Sequence, residues 1–267
     1  MGARPEHANF ETRILVLVLS CVLFSCSIGR RGSGGALVKE CILPPEQSGT
    51  ISGKWNATPI PVAFHSGDFS PAEMAEMANS AGTWNGFYKA SMGLLPIDFG
   101  AGTGGYYTSA ATRPTSVCSQ SILTGTTFSG PVVIYKMGSW PYPNIPNAIA
   151  LTSFCPEPGT PPPGQFKPIF MAIMEINYQN FFVAGQKRPD LQSIVLHELG
   201  HVLGLNHSCG PASTAGVPGC NESPPEFVDA VMAPVFGFDA SGAGEQKRTL
   251  TINDQGRANC LYKPSGS

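Results

Sequence analysis

The spacing of apolar residues changes period several times along the chain, and each period predicts an element. Pro59 to Phe64 is a short, partly β-branched apolar run, which predicts a first strand with proline tolerated at its start or on a sheet edge. Beyond Ser70 the spacing shifts to three and four. Met74, Met77, Ala78, Ala81, Trp84 and Tyr88 then share one stripe, able to pack on a sheet, of a helix running to about Lys89. Ser70-Pro71-Ala72-Glu73 starts that helix with an N-cap serine, a proline at the first helical position and a glutamate at the third. Leu95 to Phe99, Pro131 to Tyr135, Ala148 to Ser153 and Ile169 to Asn177 predict four further strands between Gly-, Ser- and Pro-rich connections. In Cys155 to Gly164 five prolines remove backbone donors and stiffen a loop. Asp190 caps a second helix through Leu203, with Gly204 placed to end it in the left-handed conformation. Thr251 to Leu261 reads as a closing helix, signalled by Thr251 with Asp254 three residues on. The expectation is an α+β chain with five strands.

Composition narrows the class. Hydrophobic residues make up 42% of the 267 positions and charged residues 13%, with 31 glycines and 25 prolines, so a packed but loop-rich unit is expected rather than a disordered chain. Net charge is -2, pI is near 6.2, and no Lys/Arg cluster occurs, which argues against nucleic acid as a partner. Arg4 and Arg13 flank the apolar run Ile14 to Phe24, which is too short to span a bilayer and reads as an export signal. Leu23-Phe24-Ser25-Cys26 resembles a bacterial lipobox. Phe24 departs from that pattern, Cys21 offers a competing site, and ordinary secretion after non-lipid cleavage stays open. Parity favours Cys26 as the lipidated residue, since it leaves an even set of six cysteines for disulfides outside the cytoplasm. The expected division is a lipoprotein-type signal at 1–25, a flexible tether at 26–40 and a single folded domain at 41–267. A lipid anchor would be the chain's membrane attachment.

His197-Glu198-Leu199-Gly200-His201-Val202-Leu203-Gly204-Leu205-Asn206-His207 satisfies H-E-x-x-H-x-x-G-x-x-H at every fixed position. Residues four apart share a helix face, so His197 and His201 can reach one ion. Continuing the helix would carry His207 away; a sharp turn at Gly204 brings it back. Three neutral nitrogen ligands leave a fourth position open, the mark of a catalytic zinc, and Glu198 is placed as general base toward water there.

This pattern resembles the metzincin peptidases, and Val231-Met232-Ala233-Pro234, about twenty-five residues after His207, is similar to their Met-turn. Ser208 and Pro234 are similar to the matrixin branch, as are Trp55 through Phe87 and Leu250 through Tyr262. The resemblance spans roughly residues 41 to 263. It implies a twisted five-stranded mixed sheet with a backing helix, an active-site helix and a C-terminal helix. It also implies a zinc-dependent endopeptidase, with Met232 as an apolar floor beneath one catalytic ion. An extended polypeptide substrate would add to a sheet edge near Ala148 to Ser153. Ala233, Pro234, Val235 and Phe236 would form the specificity wall, favouring an apolar residue just after the cut. Phe236 stands where matrixins commonly carry tyrosine, which leaves that preference open. His65 stands apart from the other histidines, so a second His-rich zinc site is not expected. Neither a useful propeptide nor a cysteine-switch sequence is found, so latency is not expected. Structural calcium has no recognisable carboxylate loop, although backbone carbonyls could supply one.

Cys209 and Cys220 bracket a Gly/Pro-rich loop and are expected to pair; Cys118 with Cys155 and Cys41 with Cys260 follow by elimination. A monomer is expected. Two other functional readings stand beside the endopeptidase: a catalytically inactive zinc-bearing surface module, and a peptidase acting on cell-wall peptides.

Overall fold

Strand-forming runs become a seven-stranded, mostly parallel sheet in the computed structural model, which describes residues 37–100, 105–118, 130–162 and 165–262. The signal at 1–25, Cys21, Cys26 and most of the tether lie outside the described residues. The strands are β1 (Lys54–Trp55), β2 (Ile60–His65), β3 (Ile97–Asp98), β4 (Thr108–Ser109), β5 (Val132–Met137), β6 (Ala150–Pro156) and β7 (Pro168–Asn177). Parallel pairing gives the order β1-β7-β5-β2-β3, with β4 also parallel on β2. Antiparallel pairing is confined to β6, which runs along β7 from Ala150 opposite Ile176 to Phe154 opposite Ala172.

Two points differ from the sequence expectation. Seven strands replace five because β1 and β4 are two-residue pairings, too short to carry a period. The sheet is predominantly parallel rather than mixed. Its central strands β5 and β7 are buried on both faces: one side packs on the helices, and on the other their own Val133, Tyr135, Met171 and Ile173 cluster with Cys155 of β6, with Val117 against them. Continuous apolar runs in these strands are what a parallel sheet covered on both sides requires.

Four α-helices complete the described α+β fold: α1 (Pro71–Met92), α2 (Leu191–Leu203), α3 (Pro225–Val228) and α4 (Ile252–Tyr262). α1 runs a turn beyond expectation before Gly93 ends it in the left-handed region. Its stripe meets the sheet and also other helices. Trp84 Nε1 donates to the Leu196 carbonyl of α2 at 2.9 Å, Ser80 Oγ to that of Gln192 at 2.7 Å, and Tyr88 OH to Ala258 of α4 at 3.0 Å. The three cysteine pairs are those expected, with Cα separations of 4.5 Å for Cys41–Cys260, 5.3 Å for Cys118–Cys155 and 4.9 Å for Cys209–Cys220. They are consistent with an extracellular protein. Among the described residues no helix is long and apolar enough to cross a membrane.

The capping box at the start of α1 does more than cap. Burial opposes ionisation of Glu73, but hydrogen bonds from Lys136 Nζ (2.8 Å), Tyr178 OH (2.7 Å) and the Ser70 amide (2.8 Å) overcome it and hold the carboxyl down at about 2. A folded value below the unfolded one stabilises the native state fully above pH about 4.5, and that stability is lost as pH falls toward 2. Glu73→Gln is expected to lower stability by about 2 kcal/mol at pH 7, solvent screening included, with the gap to wild type narrowing at pH 3. Urea unfolding at the two pH values measures both.

Candidate metal centre

α2 starts on Asp190, whose Oδ1 accepts from the Ser193 amide at 2.9 Å, and ends at Gly204, where φ is 113°. A side chain there would meet a wall. A Cβ on Gly204 would lie 1.9 Å from the Gly53 carbonyl oxygen, because the segment before β1 crosses directly over the turn. That segment holds the turn through Ser52 N donating to Gly204 O and Asn206 N donating to Thr50 O, both at 2.8 Å. His207 is thereby brought back toward the two histidines of α2.

The three rings converge, with centroid separations of 4.7 Å (His197–His201), 5.2 Å (His197–His207) and 4.9 Å (His201–His207). One nitrogen from each lies within 4.8 Å of the others, so the group can hold a metal ion. Tautomers follow from the hydrogen bonds. His197 Nδ1 faces the Val231 carbonyl and His201 Nδ1 faces that of Leu205, each at 2.7 Å. A carbonyl accepts only, so each Nδ1 carries the proton and each Nε2 presents a lone pair. Those two Nε2 atoms are 3.1 Å apart. Two lone pairs at that distance repel unless a cation lies between them, which is the strongest local sign of a metal site. Burial, reinforced by the neighbouring rings, keeps the imidazoles neutral: His197 titrates well below the usual range and His201 at about 3. Burial and then the Arg257 guanidinium bring His207 to about 4.

Glu198 is 6% exposed and turns its carboxylate toward β6, where Thr152 Oγ1 donates to Oε2 at 2.7 Å. Burial pushes its carboxyl up to about 7, against the lowering effect of that hydrogen bond. A cavity of about 1190 Å³ opens over the site. Its lining includes the three histidines, Glu198, residues 148–152 of the β6 side, and Pro234, Val235 and Phe236 opposite. The Phe236 ring stands edge-on to His197 at 5.5 Å, whereas Ala233 is buried and is not among the lining residues.

Beneath the site, Met232 is fully buried under α2. Gly200 is what admits it, since a Cβ at that position would lie 2.2 Å from Met232 Sδ. The turn carrying Met232 is fixed by Asp254 at the start of α4, which accepts from the amides of Val231 (2.9 Å) and Met232 (3.1 Å). Ser208, next to His207, closes the loop by donating its amide to Met232 O at 2.8 Å. Buried Gln47 donates to Ser208 O at 2.7 Å, and Arg257 Nη1 to Asn206 O at 3.0 Å.

The structure thus gathers His197, Glu198, His201, His207 and Met232, and places three of the four expected wall residues at the cavity. Sequence reading missed Thr152, Asp254's hold on the Met232 turn, and the packing role of Gly200. Gly200 had a signal: glycine inside a helix is unfavourable by about 1 kcal/mol and often marks close approach. Thr152 had none, because threonine is an ordinary strand residue. No protein-family model matches the chain, and no curated protein matches it. The functional reading rests on the site itself.

Gly200→Ala pits a helix-propensity gain of about 1 kcal/mol against overpacking of about 1–3 kcal/mol in a filled core, where Trp84 also crowds the position at 3.2 Å. Overpacking is expected to win, with a net loss of about 1–2 kcal/mol in urea unfolding and weaker metal retention in a chelator competition.

Proposed function

We propose that the chain is an exported zinc-dependent endopeptidase, similar to the matrixin branch of the metzincins, that cleaves polypeptides bound in extended form. One observation carries the reading: one ring nitrogen from each of three histidines lies within 4.8 Å of the other two, and these rings line one cavity together with Glu198, a buried carboxylate from the helix that carries His197 and His201. Zinc fits this donor set, because Zn–N distances of about 2.0–2.1 Å at tetrahedral angles need nitrogens roughly 3.3 Å apart, close to the spacing of His197 and His201. His197, His201 and His207 would hold the ion, which when bound supplies Lewis acidity toward a carbonyl and toward water.

The remaining work belongs to the protein. Glu198 takes a proton from the attacking water and delivers it to the departing amine nitrogen. Its burial keeps the carboxyl away from bulk water, so a proton taken up there can be passed on to the amine. β6 pairs along one side with β7, and its other side has no strand partner among the described residues, so a substrate backbone can add there. Ile194, Phe181, Phe236 and Phe238 line the same cavity, with Phe236 against His197, and favour an apolar side chain after the scissile bond. The three disulfides support an extracytoplasmic setting, with the protein either lipid-anchored at Cys26 or secreted. It acts as a monomer.

Purified protein is expected to bind one zinc and cleave casein or an apolar peptide library. Glu198→Gln is expected to keep the zinc and lose at least about 100-fold in kcat. Protein that stays metal-free in excess zinc, or a Gln variant of undiminished activity, overturns the reading.

A further inference from the structure

β6 register puts Ala150, Thr152 and Phe154 opposite Ile176, Met174 and Ala172, whose side chains belong to the core on the helix side of the sheet. Residues opposite one another in an antiparallel pair share a face, so these three β6 side chains look toward α2 and the cleft. Two are apolar. The middle one is a threonine, although valine has the same shape and would suit an apolar-facing strand position at least as well. Packing does not call for the hydroxyl. Its acceptors are both on Glu198: the Oε2 carboxylate oxygen at 2.7 Å and, more distantly, the backbone carbonyl at 3.3 Å. A β-branched side chain on a strand has few χ1 choices, so the hydroxyl is aimed by the backbone of β6.

We infer that Thr152 is a positioning residue for the peptidase reaction, fixing the Glu198 carboxylate so that Oε2 is engaged and the other oxygen is left to receive and return the proton. The inference rests on the endopeptidase reading and deepens it. Thr152 sits on the same strand whose outer edge would pair with substrate backbone. One side chain therefore couples the register of the bound peptide to the orientation of the base. Loss of the hydroxyl frees the carboxylate to rotate, which affects the chemical step more than binding.

Kinetics of wild type, Thr152→Val and Thr152→Ser, each with zinc content measured, provide the test. The Val variant is expected to hold its zinc and keep KM within about twofold while kcat falls about 10- to 30-fold. The Ser variant, which restores the hydroxyl, is expected to recover kcat to within about threefold of wild type. A Val variant with unchanged kcat, a rise in KM alone, loss of zinc, or a Ser variant no better than Val each overturns the inference while leaving the peptidase reading intact. A second arm needs neither metal nor turnover. In metal-free full-length protein, the infrared carboxyl bands assigned to Glu198 through Glu198→Gln are expected to shift in the Val variant and return in the Ser variant. Unmoved bands refute the hydrogen bond. Wild type that binds zinc but cleaves nothing sinks the peptidase reading, and with it the role given to Thr152 in proton transfer, even where the bands shift.

Discussion

Two imidazole nitrogens with their lone pairs facing across 3.1 Å are the constraint around which the rest of this structure is arranged. Such an arrangement is repulsive in the absence of a cation, so something must hold the rings in place. The hold comes from outside the rings, through carbonyls of Val231 and Leu205 that fix each Nδ1 as donor and so fix what each Nε2 offers. Leu205 lies just past the left-handed turn, and Val231 just before the buried methionine. The same two backbone segments that aim the rings also place His207 and the floor of the site. Metal chemistry and backbone geometry are therefore not separable here.

Those segments are held in turn by parts far away in sequence. Residues 47–55 cross over the Gly204 turn and bond to it, while α4 supplies Asp254 to the Met232 turn and Arg257 to the loop carrying His207. The Cys41–Cys260 bridge, with Asn259 Nδ2 donating to Val38 O (2.9 Å) and Glu40 O (3.0 Å), ties the segment leading into 47–55 to α4. Gln47, Asn253, Asp254 and Arg257 are all buried polar groups, a costly set to desolvate unless their hydrogen bonds are made. They share partners with one another and with the loop after His207. The return for that cost is position: the third histidine sits outside any helix, so its precision has to come from directed polar contacts rather than from helix geometry.

Sequence alone made the site's ligand set legible because spacing encodes it: four residues for one helical turn, a glycine for the turn that follows, and a histidine three residues later. The four longer strands β2, β5, β6 and β7 were legible for a similar reason, and two-residue β3 lies inside the run read at Leu95 to Phe99; the capped start of each of the three longer helices was legible too. What escaped reading has no local period. β1 and β4 exist only as pairings with distant strands, and the parallel sense of the sheet depends on which connections cross over. Asp254 could be read as a capping residue of α4, yet its carboxylate also reaches the amides of Val231 and Met232, more than twenty positions away. Ala233 was expected in the wall as part of the segment Ala233 to Phe236 that the resemblance implied; its burial is decided by the direction in which the turn faces.

Strand β6 brings these levels together. An unpaired sheet edge is a liability that folds usually blunt with charge, proline or a bulge. Here the bulge between Cys155 and Pro156 and the proline itself stand at the far end of β6. The stretch from Ala150 to Ser153 has neither proline nor charge, and it borders the histidines and Glu198. Protection is thus withheld where an extended chain would have to lie for its backbone to reach the histidine cluster, and applied where pairing would lead away from it. An edge left open at that place agrees with the extended substrate proposed above, while the pleat that sets Thr152 opposite Met174 turns its side chain toward Glu198.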